Sequence, residues 1–297
     1  MNNFLLSLIL CLDENSIEYE YYEKLLIEFA DGFGFHLQID GKPFSYKYLE
    51  KILELCDKIK ITNIGIRTNE IVTKEKIDML KKYNVRSILF RYDDNKTPEN
   101  IKVTKENNFP IEVSLILDKN NIKKIDNIIK WAETNEISLL VLERSIISKY
   151  RNIEINSLEK EDYKYIMEKI LKYNKDGHKT GIALSHCPNK ILLHPERKSS
   201  DSGGCSAGAI SCAIDNKGNV IPCLALYKII VGNIKEKSIN EIWNKSEIFK
   251  NLRNKSNLEG KCKLCKYKTL CGGCRAESYY KDNNLYGEDS TCWIDLI

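Results

Sequence analysis

From residue 1 to about residue 184, short apolar runs alternate with longer amphipathic segments. Short runs rich in Ile, Leu and Val are typical of buried strands, whereas the longer segments have the spacing of helices with one apolar face. The alternation predicts successive βα units around a parallel sheet. The six predicted strands cover residues 4–10, 34–39, 61–67, 85–92, 111–117 and 137–143.

The predicted helices lie between these strands. The clearest covers residues 45–59, where Cys56 falls on the apolar stripe and is therefore interpreted as a core residue. A second helix is predicted over residues 121–133, and Ser157 is the predicted N-cap of a helix that runs to residue 173. Because a closed barrel of this type needs eight strands, the fold class is predicted as α/β with an open or partial (β/α)6 barrel.

Beyond residue 184 the pattern changes, because cysteine and glycine become frequent and long helical patterns become rare. The sequence therefore predicts two domains, a βα domain over residues 1–184 and a linker with a Cys-rich domain over residues 185–297. Residues 195–204 are rich in Ser and charge and read as the connecting loop. One helix, over residues 239–253, is predicted to support the second domain.

The length of 297 residues also suits two domains with real cores. Lys and Arg number 46 against 42 Asp and Glu, and the surplus of +4 is spread along the chain. This spread argues against a dedicated nucleic-acid or membrane surface. Hydrophobic residues at 42% and charged residues at 30% are typical of an ordinary globular protein.

Residues 4–12 imitate a lipoprotein signal that ends at Cys11, but no Lys or Arg precedes the apolar run and Leu10 is bulky where a small residue is expected. The segment is interpreted as a buried strand and the protein as cytoplasmic. Eleven cysteines in a reducing compartment then favour metal ligation over disulfides. Histidine offers little, since His36 on a predicted inner strand reads as a core imidazole.

Eight cysteines between residues 205 and 292 carry the strongest chemical signal. Cys262-x2-Cys265-x5-Cys271-x2-Cys274 is followed by Cys292, and these residues come after Cys205, Cys212 and Cys223. Two sets of four thiolates suit two cubane iron-sulfur clusters. Paired zinc knuckles usually have a spacer of about 15–20 residues, whereas this chain has five, which argues against zinc. Two interleaved zinc sites remain the alternative. Cys187 stands outside the pattern and is interpreted as a structural thiol.

These residues resemble the SPASM domain, the auxiliary iron-sulfur domain of many radical SAM peptide-modifying enzymes. The resemblance covers about residues 203–293. It includes Gly218-Asn219-Val220-Ile221-Pro222-Cys223, Gly232-Asn233-Ile234, Glu241-Ile242-Trp243 and Cys271-Gly272-Gly273-Cys274-Arg275-Ala276.

The resemblance implies two four-iron four-sulfur clusters and a ligand set for each. One set is Cys205, Cys212, Cys223 and Cys274. The other is Cys262, Cys265, Cys271 and Cys292. In two-cluster ferredoxins the last Cys of a tight run likewise serves the other cluster.

The resemblance also implies that the N-terminal domain is similar to the radical SAM partial barrel. That family holds its reactive cluster with three cysteines spaced C-x3-C-x2-C after the first strand. Here Cys11 is followed at that spacing by Asn15 and Glu18, so a single thiolate remains and Cys11 is interpreted as a buried thiol.

A second departure concerns S-adenosylmethionine. The family's Gly-Gly-Glu-Pro-like turn corresponds to Asp40-Gly41-Lys42-Pro43, whose lysine would repel the cofactor's ammonium group. Thr68-Asn69-Glu70 still resembles the family's Thr-Asn-Gly, and Glu143 and Arg144 end the sixth predicted strand, where barrels hold functional groups. The departures argue against S-adenosylmethionine binding, and no residue is assigned a catalytic or cofactor-binding role.

Three functions follow from the sequence. The first is a cluster-bearing pseudoenzyme that assists a paired, active radical SAM maturase of a ribosomally made peptide and binds that peptide or its leader. The second is an autonomous redox or radical SAM peptide-modifying enzyme with atypical cofactor binding. The third is a peptide-binding protein in which metal only stabilises a small domain.

Overall fold

The computed structural model describes residues 4–185 and 204–294. The chain forms two compact units. The first combines Met1–Ser114 with Gly208–Lys250, and the second combines Leu115–Ala207 with Asn251–Ile297. The sequence-based division at residue 184 stays a prediction.

The described residues form the following strands and helices. The strands are β1 Ser7–Leu12, β2 His36–Gly41, β3 Asn63–Thr68, β4 Ser87–Arg91, β5 Ile111–Ile116, β6 Leu139–Glu143, β7 Gly181–Leu184, β8 Ser211–Ile214, β9 Asn219–Ile221 and β10 Gly232–Asn233. The helices are α1 Tyr19–Asp31, α2 Leu49–Lys58, α3 Lys74–Lys82, α4 Thr97–Glu106, α5 Ile125–Thr134, α6 Ile147–Arg151, α7 Lys160–Lys175, α8 Ile239–Lys245, α9 Glu247–Arg253, α10 Gly260–Leu264 and α11 Arg275–Asp282.

In the first unit the strand order is β10-β9-β8-β1-β2-β3-β4-β5. Strands β1 to β5 are parallel, β8 runs parallel to β1, and β9 and β10 are antiparallel to their neighbours. Cys11 lies opposite Asp40, which lies opposite Arg67. Because side chains alternate along a strand, these three residues share one face while Leu10, Ile39 and their neighbours pack on the other.

In the second unit β6 pairs in parallel with β7, Leu139 lying opposite Gly181. Helix α7 lies against β7 and buries Tyr163, Ile166, Met167 and Ile170. Its N-cap is Glu159, which forms a capping box with Asp162. The prediction that Ser157 is the N-cap of this helix is therefore wrong.

The α/β class and its parallel sheet are confirmed, and all six predicted strands are present with ends shifted by a few residues. Strand β7 and the three short strands β8 to β10 were not predicted. The predicted helix over residues 239–253 is divided in two, because Ser246 has extended backbone angles and its Oγ accepts the Phe249 N–H at 3.4 Å. None of the helices in residues 4–185 and 204–294 has the length and apolar content that a membrane span requires.

Candidate metal centre

Four cysteines of the second unit line one cavity of about 260 Å³. Cys262 lies on α10 and Cys265 directly follows that helix. Cys271 and Cys292 complete the set, and Trp293 beside Cys292 is buried. The structure therefore brings together one of the two cysteine sets that the resemblance to the SPASM domain implies.

A tight glycine turn shapes one wall of this cavity. Gly272 and Gly273 both have left-handed backbone angles, with φ of +68° and +67°. A Cβ atom on Gly273 would lie 3.0 Å from Cys262 Sγ and 2.9 Å from Asp289 Cβ. Glycine is therefore required here both for its backbone conformation and for the space it leaves beside the thiol.

Main-chain N–H groups point at three of the four sulfur atoms. Tyr267 donates to Cys265 Sγ at 3.4 Å, Gly273 donates to Cys271 Sγ at 3.3 Å, and Asp289 donates to Cys262 Sγ at 3.5 Å. Hydrogen bonds of this kind stabilise a thiolate and tune a metal bound to it. The loops are thus arranged to receive negatively charged sulfur.

Arg275 holds these loops together from inside the unit. Its guanidinium is buried and donates to the carbonyl oxygens of Gly273, Leu285 and Gly287 at 3.4, 3.3 and 2.8 Å. Its Nη2 also lies 4.0 Å from Cys262 Sγ. One side chain therefore fixes two loops beside the cavity and places a positive charge near one of the cavity's sulfur atoms.

Asp289 links the cavity to β6. Its buried carboxylate accepts the Cys274 N–H at 2.8 Å and lies 3.3 and 3.2 Å from Nη1 and Nη2 of Arg144. Arg144 also contacts Glu277 at 3.3 Å and donates to Thr291 Oγ1. Burial lowers the pKa of Arg144, but the negative charges around it, above all those of Asp289, Cys274 and Glu277, together raise it above its usual value, so the guanidinium stays charged. Sequence analysis placed Arg144 at a strand end but gave no signal for Asp289.

Two thiols of the cavity, those of Cys271 and Cys292, are held in the protonated form in the metal-free protein. Burial raises the pKa of Cys271 to about 12 and that of Cys292 to about 11. A metal must therefore displace protons when it binds.

The donor set and the cavity fit a cubane. Four soft thiolates suit iron and sulfide, whereas one zinc ion would need all four sulfurs about 2.3 Å from a single point. In the described part of the chain, no three or more His, Cys, Asp or Glu side chains converge as a single-ion site. The four cysteines instead surround a space of about 260 Å³.

The other predicted cysteine set is divided between the two units. Cys212 lies on β8 in the first unit, where burial raises the pKa of its thiol, and Cys223 precedes a 3-10 turn in the same unit. In the second unit the Cys205 N–H donates to the Cys271 carbonyl oxygen at 3.1 Å. The assignment of these cysteines and Cys274 to one cluster stays a prediction, and Cys187 lies outside the described residues.

The loop after β1 in the first unit has a different design. Cys11 is buried on the strand, whereas Asn15 and Glu18 are exposed. The Asp13 N–H donates to Ser16 Oγ at 2.8 Å, and Asp13 Oδ1 accepts the Asn15 N–H at 2.8 Å. This is a turn closed by its own polar groups. These residues offer no three-cysteine ligand set.

Neighbouring residues hold this loop closed. Asn216 Nδ2 donates to Asp13 Oδ2 at 2.8 Å, and Tyr46 Oη donates to the Ile17 carbonyl oxygen at 3.1 Å. The Tyr46 ring packs edge-on against the buried Tyr22 with ring centroids 5.8 Å apart. These hydrogen bonds therefore occupy two acceptors of the loop, and aromatic packing holds the Tyr46 side chain in place.

The turn after β2 is also held by a salt bridge and hydrogen bonds within the first unit. Lys42 Nζ lies 3.9 Å from Glu14 Oε1. Glu70 accepts the Phe44 N–H at 2.9 Å and the Ser45 hydroxyl at 2.6 Å, so this acidic residue anchors the turn.

Buried charge lies on the polar face of the same strands. Asp40 is fully buried and pairs with Arg67 at 2.5 Å and with Arg91. Strands β2, β3 and β4 each contribute one of these charged residues. Sequence analysis did not single out this ion cluster.

Comparison with known proteins agrees with the cysteine pattern. Residues 205–266 match SPASM, an iron-sulfur cluster-binding domain. The chain is 31% identical over 222 residues to a cysteine-type anaerobic sulfatase-maturating enzyme of Clostridium novyi, which covers 70% of this chain and 55% of that enzyme. It is 26% identical over 212 residues to an AdoMet-dependent heme synthase of Methanosarcina barkeri, covering 66% of this chain and 60% of the synthase. The chain thus spans less than two thirds of the length of these relatives.

Solved structures show the same fold. SuiB of Streptococcus suis, bound to its precursor peptide SuiA, matches 98% of this chain and 76% of its own with a TM-score of 0.78 at 19% identity. The enzyme anSMEcpe, with bound AdoMet and the Cp18Cys peptide, matches 97% of this chain and 94% of its own with a TM-score of 0.70 at 17% identity. The chain therefore contains a SPASM iron-sulfur cluster-binding domain at residues 205–266, and its fold is that of these solved structures.

Proposed function

We propose that this chain is a cluster-bearing pseudoenzyme that assists an active radical SAM maturase in modifying a ribosomally made peptide. In this proposal the chain holds two four-iron four-sulfur clusters and binds the peptide or its leader. It does not cleave S-adenosylmethionine itself. The observation that carries the proposal is the contrast between the four-thiol cavity and the loop after β1, where Cys11 is the only thiol.

The cavity supports the first part of the proposal. Cys262, Cys265, Cys271 and Cys292 would hold one cluster, and the resemblance assigns Cys205, Cys212, Cys223 and Cys274 to the other. Such clusters supply one-electron transfer when bound. The chain's own residues contribute the N–H groups that stabilise the thiolates, and Arg275 and Asp289 hold the loops in place.

The loop after β1 supports the second part. A radical SAM site needs a cluster with a vacant iron position, hence three cysteine ligands, whereas Asn15 and Glu18 would supply hard oxygen donors. Lys42 stands where the family's turn has an acidic residue, and its ammonium group would repel that of S-adenosylmethionine instead of pairing with it.

The relatives support a peptide as the substrate. SuiB was solved with a precursor peptide, and a mycofactocin maturase of Mycolicibacterium smegmatis is 35% identical over 92 residues, covering 30% of this chain and 23% of that protein. The peptides in these names are those of SuiB and of the mycofactocin maturase. For this chain we propose a peptide as the class of partner, together with a maturase that carries an intact three-cysteine motif.

The test separates assistance from autonomous catalysis. The anaerobically reconstituted chain is incubated with dithionite and S-adenosylmethionine, and 5′-deoxyadenosine is measured. We expect none above the level of a metal-free control, although the chain holds iron and sulfide. Turnover that yields 5′-deoxyadenosine from the purified chain alone would overturn the pseudoenzyme proposal in favour of an autonomous enzyme. Near-zero iron with bound zinc would instead favour a metal-stabilised binding protein.

A further inference from the structure

The four-thiol cavity opens within a basic surface. Five lysines lie between residues 255 and 268, where Glu259 is the only acidic residue. Lys261 and Lys268 line the cavity itself, and Lys263 and Lys266 are exposed beside it. Positive charge is therefore concentrated at the cavity, although the net charge of the whole chain is only +4.

An exposed apolar side chain lies among these lysines. Leu264 is 87% exposed and also lines the cavity. It ends α10, the helix that carries Cys262, and directly precedes Cys265. We name Lys261, Lys263, Leu264, Lys266 and Lys268 the lysine face. An apolar centre with a charged rim is the usual composition of a small protein-protein contact.

We propose that the lysine face binds an acidic electron-carrier protein, which exchanges one electron with the cluster in the cavity. This inference rests on the proposed function, because it requires a cluster at Cys262, Cys265, Cys271 and Cys292. In the transfer the reduced carrier loses one electron and the oxidised cluster gains it, with no bond made or broken.

The position and size of the lysine face favour an electron carrier over an acidic peptide. A partner on this face lies directly over the metal cavity, since two of its lysines and Leu264 line that cavity. The face comprises a single short segment, which suits the small, transient interfaces of redox partners. Lysine charges that steer an acidic partner raise the association rate at low ionic strength.

The test uses an acidic bacterial flavodoxin as the probe and a basic cytochrome c as its counterpart. The charge-reversal variant K263E/K266E is compared with K24E/K130E, which makes the same change at exposed lysines elsewhere. Flavodoxin binding to the reconstituted protein is measured at low and high salt. Reduction of the cluster by reduced flavodoxin is followed by stopped-flow absorbance, and dithionite reduction and iron content are measured in parallel.

We expect the lysine-face variant to lose at least about tenfold in flavodoxin association and cluster reduction at low salt, and the control variant to change less than about twofold. Iron content and dithionite reduction should stay at the wild-type level in both. Equal flavodoxin rates in both variants would overturn the inference while leaving the proposed function intact. It is also overturned if only a polyglutamate peptide binds, or if cytochrome c binds better than flavodoxin. A protein that loads no iron overturns the proposed function, and this inference with it.

Discussion

The loop after β1 and the cysteine cavity of the second unit both combine cysteine with main-chain N–H groups, but in the two regions these groups bond to different partners. In the cavity, four thiols face a space of about 260 Å³ and three of them receive main-chain N–H groups. After β1, the N–H groups of Asp13 and Asn15 bond to side chains of the same turn, and Cys11 is buried. A metal-binding loop therefore needs main-chain N–H groups aimed at its sulfur atoms as well as cysteines, and of these two regions the cavity has both.

Removing one thiol from each region should give the largest difference. Cys271→Ala is expected to lose about four of about eight irons per chain, because a cubane needs its fourth ligand to stay saturated. Cys11→Ala should keep the wild-type iron content, since Cys11 belongs to no ligand set. Iron and sulfide analysis after anaerobic reconstitution measures both. Equal iron loss in the two variants would erase the contrast between the regions.

Removing a buried carboxylate from each region should separate stability from metal binding. Asp289→Ala and Asp40→Ala each remove a buried carboxylate that pairs with arginine side chains, at a cost of about 3–5 kcal/mol in the free energy of unfolding. Only Asp289→Ala should also weaken iron retention, because Asp289 holds the Cys274 N–H. Urea unfolding and iron release to a chelator measure the two effects. Faster iron release from Asp40→Ala as well would contradict this division.

Two glycines with similar backbone angles allow the steric cost of a side chain at the cavity to be measured separately from the cost of positive φ. Gly273→Ala and Gly177→Ala both place an alanine at positive φ, +67° and +73°, which costs about 1–2 kcal/mol. Nothing lies within 4 Å of the added Cβ at Gly177, whereas Cys262 Sγ and Asp289 surround it at Gly273. Gly273→Ala should therefore lose about 1–3 kcal/mol more and hold less iron. Equal loss in both would show that the cavity wall adapts.

The smallest expected effect is the pH dependence of the metal-free protein. The pKa values of Cys271 and Cys292 are raised from 9.0 to about 12 and about 11, so the unfolded chain releases these protons first as pH rises. The free energy of unfolding should therefore fall, by about 1 kcal/mol between pH 8 and pH 9 for the two thiols. Thermal or urea unfolding in that window tests this. The variant C271A/C292A should show a correspondingly flatter dependence, and an equally steep one would contradict it.

Much of the fold could be predicted from the sequence because its main elements carry long local signals. The six strands β1 to β6 were recognisable as apolar runs flanked by amphipathic segments. Strand β7 was missed because Gly181–Leu184 is only four residues long. The break at Ser246 was missed because the apolar stripe continues from α8 into α9.

The candidate site was predictable only in its ligands. Cysteine spacing singled out eight cysteines, and the resemblance to the SPASM domain grouped Cys262, Cys265, Cys271 and Cys292 as one set. The pairing of Arg144 with Asp289 joins residues 145 positions apart, and no local pattern encodes such a distance. The main-chain N–H groups that donate to the cysteine sulfurs could not be predicted either, because nearly every residue has such a group and the sequence does not show where it points.

We propose that the C-terminal cysteines hold clusters while the loop after β1 holds none. Mössbauer spectroscopy of the anaerobically reconstituted protein, before and after addition of S-adenosylmethionine, tests it most directly. We predict about eight irons per chain in cubane clusters with a spectrum that the nucleotide leaves unchanged. About twelve irons, with one cluster whose spectrum shifts when S-adenosylmethionine is added, would contradict the claim.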